Sequence, residues 1–277
     1  MSASAGGYVM GHTDRERQRL SLQASLIDPF TNGLLVKAGI TSGMRVLDLG
    51  CGVGEVSLLA ARLVAPHGTV HGIDIDPEAL KQARRTLRTA GYHFAAFEQT
   101  DVNDHQPAQP YDAVIGRHIL LHMADVPAIL RKAVSLVRPG GVLAFQEWDL
   151  SYFPRGFPEM PLAFGVQDMI CEFFRRAMPR ANIGTQLAHL MQDAGLAMPE
   201  CQFDSIIACG PNATVYAWIV ECLHSVLPRM SAVGLSTAHL GDINTLTSRM
   251  LQEAEEVRGV NFSPPLIGVF DRKPYSR

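Results

Sequence analysis

Between residues 45 and 148, short apolar runs alternate with longer stretches in which apolar positions recur every three or four residues. The runs at 45–49, 69–75, 93–99, 113–116 and 142–148 predict five strands. The stretches between them predict helices. One ends near Val64, one opens at Asp76-Pro77 with the acid as cap and proline in the first turn, and one covers 126–137 before the Arg138-Pro139-Gly140-Gly141 turn. Strands separated by crossover helices predict an α/β fold with a doubly wound, mostly parallel sheet. Upstream, Thr13 to Glu16 reads as a capping box opening a helix with Arg15, Arg19 and Gln23 on one face. Pro29 is expected to break that helix, and a second one carrying Phe30, Leu34, Leu35 and Ala38 should end at Gly39. Beyond Asp149 the pattern changes. Residues 152–161 are rich in proline and aromatics, as in a lid or linker. Helices follow near 162–177 and 185–194, a strand at 202–208, helical stretches over 212–257 and a closing strand at 266–271. The expected organisation is an N-terminal helical lid over 1–40, a ligand-binding core over 41–150, and the remaining strands with a helical cap insertion over 151–277.

Composition narrows the function classes. The 277 residues, 47% of them hydrophobic, suffice for one large domain or for one domain with a smaller attachment. Twenty-four basic residues against 27 acidic ones give a net charge of −3, so no nucleic acid and no anionic membrane is expected as a partner. Cys51, Cys171, Cys201, Cys209 and Cys222 form no CxxC pair or zinc-type spacing and read as free thiols in a reducing compartment. The first seventeen residues hold no apolar leader segment, and no uncharged apolar run reaches the roughly 18 residues of a membrane span. A cytoplasmic protein, monomeric or homodimeric, is expected.

The segment Val46-Leu47-Asp48-Leu49-Gly50-Cys51-Gly52-Val53-Gly54 lies between a strand and a helix. Glycines there permit a sharp turn and let a ligand approach without Cβ atoms in the way. Their spacing is not the GxGxxG of dinucleotide folds, and Glu55 at the helix mouth would repel a pyrophosphate. No Gly-Lys-Ser/Thr follows, which excludes a Walker A loop. Asp48 suits a ligand with a cationic end. Asp74, at the end of the second strand and about 20 residues past the last glycine, is placed to accept ribose hydroxyls. The ligand expected is a nucleoside that lacks phosphates and carries an ammonium group. S-adenosylmethionine meets that description.

These stretches resemble class I S-adenosylmethionine-dependent methyltransferases: VLDLGCGVG, GIDID, QTDVND, YDAVIGRHILLHMAD and RPGG, in that order. The resemblance covers about 45–149 and extends weakly to 182–196 and the closing GVFDRKP. It implies that Gly50, Cys51 and Gly52 contact the methionine part through backbone atoms. It further implies Asp74 on the ribose, Ile75 against the adenine, and Asp101 with Val102 at the adenine amino edge. Arg117 and His118 should line the transfer face. The implied strand order is 3-2-1-4-5-7-6, the last strand antiparallel. Tyr8 and the first helix are expected to supply partners for the methionine carboxylate.

The acceptor is less legible. No Asp/Asn-Pro-Pro-Tyr/Phe tetrapeptide follows the fourth strand, where Gly116-Arg117-His118-Ile119 stands, and no Pro-Cys dipeptide occurs. Those absences argue against base methylation. Glu147 and Asp149 lie close in sequence but no second acidic cluster accompanies them, so no metal site is expected. The added helices at 13–38, 160–178 and 212–257 could close a pocket for a small molecule. Tyr152, Phe153, Phe157, Phe164, Phe173, Phe174, Tyr216 and Trp218 would make it apolar or aromatic, although such residues are more often ordinary core. In-line methyl transfer needs alignment and exclusion of water, and a base only when the acceptor must lose a proton. His118 is the first candidate base, followed by Glu147 and Asp149. Protein or RNA methylation, and a cofactor-binding protein without methyl transfer, are the competing readings.

Overall fold

The computed structural model describes residues 14–210 and 213–275. Its main elements are α1 (Asp14–Lys37), β1 (Arg45–Leu49), α2 (Glu55–Val64), β2 (Thr69–Asp74), α3 (Pro77–Thr89), β3 (Ala96–Gln99), β4 (Tyr111–Arg117), α4 (Val126–Leu136) and β5 (Val137–Trp148). They continue with α5 (Pro161–Ala177), α6 (Ile183–Asp193), β6 (Glu200–Asp204), β7 (Ile207–Cys209), α7 (Ala213–Met230), α8 (Leu246–Val257), β8 (Val260–Phe262) and β9 (Leu266–Arg272). The described chain divides into two compact units. A helical unit comprises 14–27, 148–182 and 205–265, and a sheet unit comprises 28–147, 183–204 and 266–275.

In the sheet unit, seven strands run in the order β3-β2-β1-β4-β5-β9-β6. Strands β3 to β5 pair in parallel, and β6 pairs antiparallel with β9. The alternation predicts a doubly wound sheet, and this is the strand order that the family resemblance implies, with β9 in the place of the seventh strand. Parallel strands are covered on both faces, so β1 and β4 read as almost continuous apolar runs. On one face Leu47, Leu49, Val114, Phe145 and Leu130 are buried together; on the other, Val46, Ile115, Ala144, Leu59 and Leu34 are. Asp76 caps α3, its carboxylate accepting the N–H of Glu78 at 2.8 Å. Asp125 caps α4 through the N–H of Ala128 at 2.9 Å.

The structure departs from the sequence pattern in four places. Pro29 lies inside α1, which continues to Lys37 as one helix. Its missing N–H is a local loss, while the flanking Ile27, Leu34 and Leu35 are buried. Thr13, the expected cap, falls outside the described residues. The Arg138-Pro139-Gly140-Gly141 turn is an excursion within β5: Tyr111 pairs with Val137, and Ala113 already pairs with Val142. The strand expected at 202–208 is two strands, because Ser205 and Ile206 separate β6 from β7, which pairs with β8 in a ladder of its own. Residues 260–262 were not expected as a strand; three residues are too few to show a period.

The helical unit is built on α5, α7 and α8, which pack on one another. The carboxylate of Glu253 on α8 accepts the N–H groups of Leu162 and Ala163 at 2.8 and 2.9 Å, satisfying the open N-terminus of α5. Phe173, Phe174, Tyr216 and Trp218 are buried, as are Met169, Met178, Met230 and Met250. Most of the aromatic residues considered for a lid are therefore core, while Tyr152 and, at 80% exposure, Phe157 face outward. Arg15 holds Glu221 with two bonds of 2.6 and 2.7 Å, and Arg19 donates to Gln23 at 2.7 Å. No helix among the described residues is long and apolar enough to cross a membrane.

Candidate active site

The chain leaves β1 through three glycines in the left-handed region: Gly50 at φ 63°, Gly52 at φ 52° and Gly54 at φ 86°. Other L-residues reach that region only with strain. The three differ in their surroundings. A Cβ on Gly50 would lie 2.6 Å from Cδ1 of Ile119, and one on Gly54 would lie 2.9 Å from Cβ of Ala83. These two glycines let the loop pack against the segment after β4 and against α3. A Cβ on Gly52 would meet nothing within 4 Å. Space is therefore open at the middle of the loop.

Asp74 ends β2 beside that space. One carboxylate oxygen accepts the N–H of Gly52 at 2.9 Å and the other accepts the N–H of Asp76 at 2.9 Å. The acid thus shapes the loop itself. A carboxylate offers about four acceptor sites, so two bonds do not exhaust it. Ile75 follows with 67% of its surface exposed, an unusual state for isoleucine at the end of a core strand. Asp101 closes a turn by accepting both the backbone and side-chain N–H of Asn103, and Val102 is buried. Cys51 is buried beneath the loop, and burial pushes its thiol up. Tyr8 lies outside the described residues.

Asp48 is buried under the loop and accepts the hydroxyl of Ser57 at 2.6 Å. Burial pushes its carboxyl up to about 7, against the pull of the Ser57 bond and the Arg117 charge. Arg117, expected to line a transfer face, is held by three side chains of the protein. Its guanidinium donates to Asp28 at 2.8 Å, Thr31 at 2.9 Å and Glu55 at 3.2 Å. Thr31 in turn donates to Gln146 at 2.6 Å. The Glu55 charge at the mouth of α2 is therefore balanced by Arg117. Asp28, Thr31 and Gln146 carry no motif, so only the fold reveals this network.

His118 takes a left-handed φ of 55°, rare for a residue other than glycine, while its N–H donates to Gln146 O at 2.9 Å. Backbone outliers of this kind cluster at functional sites. The turn is held by Glu147, whose Oε1 accepts the N–H groups of Ile119 at 2.9 Å and Leu120 at 2.7 Å. Burial raises the Glu147 carboxyl to about 8, outweighing those two donors. Glu147 thus anchors the turn through these two bonds. Asp149, in the helical unit, is buried and accepts the N–H and hydroxyl of Ser151.

The buried acid predicts a pH dependence. The folded carboxyl holds its proton up to about pH 8, whereas an unfolded one releases it near 4.5. The folded state binds more protons between those values, so stability falls as pH rises through that window, by about 1.4 kcal/mol for each unit. Asp48 adds a slope of the same sign. Melting temperatures taken at pH 5.5 and 8 should fall with pH, and Glu147→Gln, which keeps the acceptor for Ile119 and Leu120, should flatten that fall.

Among the described residues, one group of three metal-ligating side chains comes together: His71, Glu98 and His105. The sequence pattern did not show it, because the three come from β2, β3 and the connection after β3.

Residues 40–195 match the family model described as a methyltransferase domain. The chain belongs to the class I S-adenosylmethionine-dependent methyltransferase family. It is 32% identical over 168 residues to a ubiquinone biosynthesis O-methyltransferase of Xanthomonas euvesicatoria pv. vesicatoria, a match covering 57% of this chain and 65% of the relative. It is 33% identical over 125 residues to the aklanonic acid methyltransferase DauC of Streptomyces sp. strain C5, covering 44% and 56%. The match thus spans between half and two thirds of each relative's own length. A solved structure of a protein from Bacillus halodurans, described as a putative methyltransferase, superposes with a TM-score of 0.56 at 20% identity, covering 88% of this chain and 99% of that one. That likeness shows the fold.

Proposed function

We propose that this methyltransferase-family chain moves the methyl group of S-adenosylmethionine to a small apolar or aromatic molecule. The observation that carries the reading is the open space at Gly52, flanked by Asp74 and an exposed Ile75. Such a cradle suits an uncharged ribose and a flat purine. When bound, the cofactor supplies a methyl group made electrophilic by a sulfonium. The protein does the rest. The backbone of Gly50, Cys51 and Gly52 holds the methionine part. Asp74 accepts the ribose hydroxyls with its remaining lone pairs, and Ile75 gives the adenine an apolar face. Asp101 and Val102 border the amino edge. Asp48 places a titratable carboxyl beneath the loop, where a nearby ammonium group would favour its ionised form. Tyr8 is retained as a partner for the methionine carboxylate. Arg117 keeps the segment after β4 in place, and His118 takes the proton of a hydroxyl acceptor.

Two observations about relatives support the small-molecule class: one is named for ubiquinone biosynthesis and the other for aklanonic acid. His118→Ala tests the proton step. A positioned base contributes about 10²–10⁴-fold in rate. The variant should lose turnover on a hydroxyl acceptor by that order while binding the cofactor as the wild type does. Wild-type turnover with an unchanged pH profile would remove His118 as the base and leave alignment to account for transfer.

A further inference from the structure

His71, Glu98, His105 and Tyr111 form a closed ring of four polar contacts within the sheet unit. Nδ1 of His71 and Nε2 of His105 lie 2.6 and 3.0 Å from the Tyr111 hydroxyl. Nε2 of His71 and Nδ1 of His105 lie 3.3 and 3.2 Å from the same oxygen of Glu98. Four contacts need four hydrogens. Two neutral imidazoles and one phenol supply one each, and an ionised carboxylate supplies none. One contact therefore lacks a hydrogen and sets a nitrogen lone pair against an oxygen lone pair. Nδ1 of His105, in a residue only 3% exposed, faces Glu98 at 3.2 Å without the alignment of a hydrogen bond. An extra proton on an imidazole would close the ring, but burial lowers the proton affinity of both histidines.

The geometry points to a divalent transition-metal ion of the zinc type, bound by Nε2 of His71, Nδ1 of His105 and the carboxylate of Glu98. These atoms lie within 4.8 Å of one another. Bonds of about 2.0–2.1 Å in a tetrahedron set the ligands about 3.3 Å apart. The 3.2 and 3.3 Å separations from Glu98 match that edge and are long for charge-assisted hydrogen bonds. The two outward imidazole nitrogens then both carry hydrogens, and Tyr111 accepts them with its two lone pairs. A partner of that kind orients metal-binding histidines in zinc sites. Burial pushes the Tyr111 phenol up to about 12, so it stays neutral in this role. Glu98, with 48% of its side chain exposed, leaves a route for the ion and a fourth position for water. The ion would fasten the connection that carries Asp101, Val102 and His105 to strands β2 and β3. It takes no part in the proposed methyl transfer, and the inference stands apart from that reading.

The test uses tag-free full-length protein, stripped with a chelator and titrated with Zn²⁺ alone and with Co²⁺ alone, without S-adenosylmethionine. The expected result is one ion per chain, a tetrahedral Co²⁺ absorption spectrum and a rise in melting temperature. Glu98→Gln should weaken binding by at least tenfold without disturbing the fold, since the residue is half exposed. Tyr111→Phe should weaken it by about 10–100-fold. No stoichiometric binding, an octahedral spectrum, or an affinity unchanged by Glu98→Gln would overturn the site and leave the cluster as a hydrogen-bonded ring completed by a proton.

Discussion

Gly52→Val should abolish measurable binding of S-adenosylmethionine while the sheet remains folded. The wild-type glycine sits at φ 52° with no atom within 4 Å of a Cβ position, so a branched side chain there would project into the space assigned to the methionine chain. Overpacking at close contacts costs about 1–3 kcal/mol, and the displaced ligand also loses its contacts to the loop backbone. A fall in affinity of about 100-fold or more is expected. The left-handed conformation adds a strain of about 1–2 kcal/mol, which will lower the melting temperature. Gly43→Val separates the two effects, because Gly43 has φ 88° and equally open surroundings but lies in the turn before β1. It should show the stability loss with normal cofactor affinity. A Gly52→Val protein that binds the cofactor like the wild type would show that the loop does not cradle it.

Asp74→Ala should raise the dissociation constant by about 10–150-fold. Hydrogen bonds to a charged group contribute about 1.5–3 kcal/mol, and tenfold in affinity corresponds to about 1.4 kcal/mol. Part of the loss will come through the loop, because Asp74 also holds the N–H of Gly52. The neighbouring cap is made by a different side chain, Asp76 accepting the N–H of Glu78, although Asp74 also holds the N–H of Asp76. Asp76→Ala should therefore lower stability, by about 0.5–2 kcal/mol, with a smaller effect on affinity. Calorimetric titration of both variants checks the contrast. Unchanged affinity in a folded Asp74→Ala protein would remove the acid from the site.

The sheet was legible because its signal is repeated. The central strands β1 and β4 and residues 142–148 of β5 are buried runs bounded by turn residues, and covering both faces of parallel strands leaves little ambiguity, whereas the edge strand β3 is mostly exposed. The glycine loop was legible for a local reason: the conformations at 50, 52 and 54 depend on residue type at those positions. The cap at Asp76 likewise follows from the Asp-Pro pair itself. Contacts between distant segments were not legible. Nothing in the order Arg117-His118 says that the arginine is held by Asp28, Thr31 and Glu55. Nothing in the order Gln146-Glu147 says that the acid holds the turn after β4. Pro29 misled in the other direction, since burial of the residues around it carries α1 past the break that its chemistry predicts. The ring of His71, Glu98, His105 and Tyr111 joins four segments, and no spacing rule links them.

Transfer itself is the most direct measurement. Full-length protein is incubated with methyl-labelled S-adenosylmethionine and a pool of small phenols, quinols and polycyclic aromatic hydroxy compounds, and products are separated by chromatography and mass spectrometry. The account predicts label in a small aromatic product, formed in step with S-adenosylhomocysteine, and lost in Gly52→Val. Binding of the cofactor with no label leaving it for any member of the pool would contradict the proposed methylation of small apolar or aromatic acceptors.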